Sequence, residues 1–195
     1  MASEGARSAT DTRSGHGPTD AALVVAARAG ERWAQEALFR RHAGGLKRLV
    51  FRILPSDADA DDVVQDAFIT ALGRLDQLGD AAAFAAWLRS IAIRRSYKVL
   101  RRRRLRRRLG FRDVPLFDPD VSVAPGAPPD VVRELTELYA VVETLPPEER
   151  IALLLQRVER LPLATIAEEM GISLATVKRR IAAADARLAK RLGRG

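Results

Sequence analysis

Leu161-Pro-Leu-Ala-Thr-Ile-Ala-Glu-Glu-Met-Gly-Ile-Ser-Leu-Ala-Thr-Val-Lys-Arg-Arg-Ile181 is the stretch on which the fold turns. The spacing predicts a short helix from about Pro162 to Met170, a left-handed turn at Gly171 and a second helix capped by Ser173. Ile172 would plug the core between the two helices, and Val177 and Ile181 would face inward. Ala164 and Ala167 are small enough for the helices to pack closely. Thr176, Lys178, Arg179 and Arg180 fall on or near the outward face, within the first two turns. In a helix-turn-helix that is where the recognition helix meets base edges and phosphates. An ordinary helical hairpin with a glycine turn would show the same bare pattern, so the basic tip is what favours nucleic acid.

Upstream of this motif, Val131–Glu143 is amphipathic, and Leu145-Pro-Pro-Glu-Glu-Arg150 places prolines at a helix start. An apolar-rich helix over Ile151–Val158 follows. Further upstream, residues 111–130 hold Pro115, Pro119, Pro125, Pro128 and Pro129 together with Gly126, a composition that reads as a flexible linker and a domain boundary.

The first half of the chain is also helical in pattern. Asp20 reads as the N-cap of a helix through Ala29, with Gly30 as its stop. A second runs from about Arg32 to Leu54, with Gly44 and Gly45 as points where it could bend or break. The run Asp57-Ala-Asp-Ala-Asp-Asp62 has the spacing of a calcium loop, but its sixth position is Asp62 rather than Gly and its twelfth is Phe68 rather than Glu. The acids instead suit the first turn of a helix, where the macrodipole favours negative charge. That helix runs to about Leu75, with Asp62, Gln65 and Asp66 outward. A long helix follows from about Ala83 to Leu109. Phe84, Trp87, Leu88 and Ile91 share one face of it, a spacing that makes Trp87 a core residue. Its second half is so rich in arginine that charge repulsion disfavours its extension unless a polyanion neutralises it.

Charge is localised. The chain carries +8 overall; residues 89–130 alone carry +8, with 20–88 at −2 and 131–195 at +2. A concentrated basic excess is the electrostatic footprint of a nucleic-acid binder, and a solvated basic linker is the plainer alternative. There are no cysteines and only two histidines, His16 and His42, which leaves no disulfide framework or thiolate metal site. No glycine-rich phosphate loop, nucleophile–base pair or metal-ligand cluster is present, so no enzyme, metal or cofactor is expected. No apolar run approaches the length of a membrane span and the N-terminus lacks a signal-peptide core. A soluble, cytoplasmic chain follows as the expectation. The fold class is all-α: two small helical domains joined by a flexible linker, the second a helix-turn-helix. The divisions are a disordered tail at 1–19, a first domain at 20–109, the linker at 110–130 and a second domain at 131–195.

Two stretches resemble the extracytoplasmic-function (ECF) group of the sigma-70 family. Ala37-Leu-Phe-Arg-Arg-His42 is similar to the family's opening helix, and Asp59-Ala-Asp-Asp-Val-Val-Gln-Asp-Ala-Phe68 to its polymerase-binding helix. Phe84-Ala-Ala-Trp-Leu-Arg-Ser-Ile-Ala92 and the basic residues after it resemble its promoter-melting region. Leu145-Pro-Pro-Glu-Glu-Arg150, Ile166-Ala-Glu-Glu-Met-Gly-Ile-Ser173 and Thr176-Val-Lys-Arg-Arg180 resemble its C-terminal domain. The resemblance implies a sigma factor that binds core RNA polymerase through Asp62, Gln65 and Asp66. It implies −10 element contacts from Arg89, Arg94, Arg95, Ser96, Lys98, Arg101 and Arg102, a pocket for a flipped base around Leu78–Ala82, and −35 element contacts from Ser173, Thr176, Lys178, Arg179 and Arg180. Promoter DNA and an anti-sigma factor are the other implied partners. The sequence departs from the family's pattern at Pro162, where a polar cap is usual, at Arg95, where Asn is frequent, and at Ala182, Ala183 and Asp185, where basic or aromatic residues are common. A proline at a first helical position can replace the cap, the losses at Ala182, Ala183 and Asp185 imply a weaker or divergent −35 readout, and Arg95 leaves the −10 preference open. A stand-alone helix-turn-helix regulator would need only the second half of these motifs, and an RNA-binding protein only the arginine run.

Overall fold

In a computed structural model, residues 17–110 and 126–193 are described. The predicted tail up to residue 16 and most of the predicted linker lie outside them. Every regular element among the described residues is helical.

The first four helices are α1 (Asp20–Arg28), α2 (Arg32–Ile53), α3 (Asp57–Leu72) and α4 (Phe84–Arg108). The cap of α1 is Thr19 and not Asp20: the Thr19 side chain accepts from the Ala22 N–H, and Asp20 is already in the first helical turn. α2 passes through Gly44 and Gly45 without interruption. Leu38, Leu46, Leu49, Val50 and Ile53 line its buried face and supply the packing that propensity at the glycines does not. The N-cap of α3 is Ser56, whose side chain accepts from the Asp59 N–H, with Asp57 and Asp59 in the first turn. α3 ends at Leu72, three residues before the expected stop. Gly73 closes it, and two 3₁₀ turns, Leu75–Gln77 and Ala81–Ala83, lead into α4. α4 continues through the arginine run to Arg108, and an ion pair from Arg103 to Asp59 of α3 offsets part of the repulsion there.

The second group comprises α5 (Pro129–Glu143), α6 (Pro147–Arg157), α7 (Leu163–Met170) and α8 (Leu174–Leu192). α5 and α6 both begin on a proline, which lacks the N–H that a first helical position leaves unbonded. Gly171 sits at φ 66°, ψ 40°. Its N–H donates to the Glu168 carbonyl at 3.1 Å and that of Ile172 to the Ala167 carbonyl at 2.9 Å. This pair of bonds is a Schellman closure. Ser173 then caps α8 by accepting from the Thr176 N–H at 3.2 Å.

The two groups pack on one another. α4 lies against α6 and α7, and α2 touches α6. Ile151, Ala152, Leu155 and Ile166 belong to the same buried cluster as Leu38, Ile53, Phe84 and Leu88. Ion pairs among the described residues cross the boundary, Arg52 with Glu159 and Arg89 with Glu169.

Candidate polymerase and nucleic-acid surfaces

Three surfaces carry the residues singled out by the sequence. On α3, Asp62, Gln65 and Asp66 are all exposed, because Val63, Val64, Ala67 and Phe68 take the inward positions. Ile69 extends this face and is 62% exposed. Sequence reasoning missed it, although the spacing 62, 65, 66, 69 is that of a single helical face. Asp66 is partly engaged: the Arg95 guanidinium of α4 donates to it at 2.9 Å and to the Thr70 hydroxyl at 2.8 Å.

On α4 the expected DNA residues divide. Arg94, Lys98, Arg101 and Arg102 are exposed; Arg94 donates to the Ser90 hydroxyl at 3.0 Å. Arg95 is half-buried and tied to α3 by the bonds just described. Arg89 is held by Glu169, N···O 3.1 Å, and Glu169 itself is only 4% exposed. Burial pushes the Glu169 carboxyl above its ordinary value, and the Arg89 guanidinium only partly offsets this. Ser96 corrects the sequence reading. It is fully buried, its hydroxyl donating to the Ala92 carbonyl at 2.9 Å, and in this arrangement it presents nothing to DNA. The helical period carried the signal, since Leu88, Ala92 and Leu100, at spacings of four, are buried with it.

The loop expected to receive a flipped base is braced from α1. The Arg28 guanidinium donates to the Leu75 carbonyl at 3.0 and 2.9 Å and to the Leu78 carbonyl, while the Asp80 side chain accepts from the Ala82 N–H at 2.9 Å. Trp87 packs against the core, its ring 6.5 Å from that of Phe84.

On α8, Lys178 and Arg179 are exposed and Arg180 half-buried. Ser173 and Thr176 serve first as the cap, their hydroxyls 2.9 Å apart. Val177, Ile181 and Ala184 face inward. Asp185 pairs with Arg157 of α6 at 3.2 Å, which gives that departure from the family's pattern a structural partner.

The arrangement of helices and surfaces agrees with comparisons to known proteins. The Sigma-70 region 2 family model matches residues 38–106, and the Sigma-70 region 4 model matches residues 135–188. An ECF RNA polymerase sigma factor SigM from Mycobacterium tuberculosis is 34% identical over 188 residues, covering 91% of this chain and 87% of the relative. The chain belongs to the ECF group of the sigma-70 family. The ECF RNA polymerase sigma-E factor of Escherichia coli is 31% identical to this sigma factor over 174 residues, with 84% and 88% covered. Among solved structures, CnrH in complex with the cytosolic domain of CnrY covers 89% of this sigma factor and 97% of its own chain, with 26% identity and a TM-score of 0.60. The Bartonella quintana sigma factor RpoE, solved with the anti-sigma factor NepR, has a TM-score of 0.59 at 21% identity, covers 81% and 96%, and shares the fold. No helix among the described residues is long and apolar enough to cross a membrane.

Proposed function

We propose that this sigma factor binds core RNA polymerase through the α3 face formed by Asp62, Gln65, Asp66 and Ile69, and directs it to promoters through α4 and α8. Residues 20–109 form the unit that engages polymerase and the −10 element, and residues 131–195 the unit that reads the −35 element. The observation that carries this reading is the match to both family regions, in order, combined with exposure of the relevant side chains on α3 and α8. Acidic and amide groups on α3 suit a basic partner surface. An apolar Ile69 beside them gives the contact a part that salt does not screen. Lys178, Arg179 and Arg180 enter the major groove. Arg94, Lys98, Arg101 and Arg102 hold backbone phosphates and the displaced strand, which supplies affinity more than sequence information. The mechanism is binding; polymerase supplies the chemistry. An anti-sigma factor that covers these surfaces is the expected regulator.

Arg89 is not free for DNA while Glu169 holds it. A DNA contact from Arg89 therefore requires α7 to separate from α4, whereas Arg94, Lys98, Arg101 and Arg102 are exposed already.

Co-elution with sigma-free core polymerase on a sizing column tests the reading. The wild-type chain is expected to comigrate, and Asp62→Ala, Gln65→Ala and Asp66→Ala combined with Ile69→Ala to abolish this. Comigration that survives these changes moves the contact elsewhere. A folded chain that never comigrates overturns the sigma reading for this protein.

A further inference from the structure

Between the C-terminal end of α4 and the junction of α5 with α6 lies a cleft of about 280 Å³. Its α4 wall presents Arg104, Arg107 and Arg108; its other wall includes Glu143, Thr144 and Arg150. Among the described residues that line the cleft are four arginines and one carboxylate, Glu143. Arg150 is the unusual member. It is only 1% exposed, and its Nε and one Nη are buried without a hydrogen-bond partner. Burial lowers its pKa to about 10, the Arg107 and Arg103 cations press in the same direction, and Glu143 and Tyr139 offset this in part. Buried donors left unpaired are costly, and cations assembled across a cleft repel one another. An anion seated in the cleft would offset the repulsion directly, and a turn of the Arg150 side chain toward it would give the unpaired donors an acceptor.

We propose that this cleft binds a small phosphate-bearing anion, held by Arg104, Arg107 and Arg108 of α4 and by Arg150 of α6. Guanidinium forks match phosphate oxygens in pairs, the geometry in which such charge-assisted bonds are strongest. The size of the cleft suits one or two phosphate groups and excludes a nucleic-acid duplex, so this site is separate from the exposed arginines assigned to DNA. Anion binding in the cleft does not depend on the polymerase contact.

Calorimetric titration of the full chain with inorganic pyrophosphate, at about physiological ionic strength to screen diffuse attraction, tests it. One anion per chain is expected. Arg107→Gln and Arg150→Met should each weaken binding about tenfold, the effect of removing one charge-assisted hydrogen bond. Arg133→Gln, an equal loss of charge on the exposed side of α5, should leave it unchanged. Binding of several anions per chain, equal weakening by all three substitutions, or no heat at all would overturn the site. If Arg150→Met disturbs folding by circular dichroism, the exposed Arg107 decides the matter by itself.

Discussion

Glu169 is a carboxylate with almost no access to water, placed against a guanidinium that is a third exposed. Its pKa is raised, so the folded chain holds the proton to higher pH than the unfolded chain does. The resulting stabilisation is complete below the ordinary value of 4.5 and is lost as pH rises through the raised value. Glu169→Gln keeps a hydrogen-bond acceptor for Arg89 and removes the titration. Thermal melts of wild type and variant from pH 4 to 7 are expected to diverge, the wild type losing stability relative to Glu169→Gln as pH increases. Parallel curves would show that the carboxyl does not titrate in this range. Gly171 gives a simpler case. A Cβ there meets nothing within 4 Å, but φ is +66°. Gly171→Ala should cost about 1 kcal/mol by urea unfolding through backbone strain alone, and Gly171→Asn less, since Asn tolerates the left-handed region. Gly171 was legible in the sequence because local chemistry decides it. Glu169 was not, because its partner lies 80 residues away and no local pattern records such a pairing. Ser96 fell between these cases. Its basic neighbours suggested a surface role, while the four-residue spacing from Leu88, Ala92 and Leu100 placed it inside.

At the scale of the element, the first turn of α8 carries the cap and the second carries the exposed cations Lys178 and Arg179. Ser173→Ala removes the acceptor for the Thr176 N–H and should cost about 1 kcal/mol of stability. Lys178→Ala and Arg179→Ala leave the core-facing Val177 and Ile181 in place. They should lower affinity for a −35 duplex, and each cation removed from a phosphate should reduce the slope of log K against log salt by about one. Fluorescence anisotropy across a salt series checks this, and an unchanged slope would move the groove contact away from these residues. The extent of α4 was only partly legible. Charge repulsion along Arg101–Arg108 argues against a helix, and the sequence alone does not reveal the Asp59 carboxylate that pairs with Arg103. Similarly, Gly44 and Gly45 weaken α2 locally, and the continuous buried face on either side carries the helix across them.

At the scale of the molecule, two sequence-distinct halves share one buried cluster. Such a chain should unfold in a single transition in which both halves melt together. Charge reversal at the boundary, Arg52→Glu with Arg89→Glu, sets like charges against Glu159 and Glu169 and should split calorimetric melting into two transitions. A single unchanged transition in that variant would show that the apolar packing suffices without the ion pairs. The composition predicted two helical groups and a connection between them. It did not predict that α7 rests on α4, because an amphipathic helix declares that it has a buried face and not which surface will cover it.

The pairing of Arg89 with Glu169 also makes a historical claim. A lineage that changes one of these residues inherits either an orphaned buried carboxylate or an idle guanidinium, so the two positions should drift as a couple. The same reasoning applies at the bench. A chimera that joins the first half of this chain to another protein's C-terminal half must bring a compatible residue to position 169, or the graft will be two well-made pieces that no longer fit at their seam.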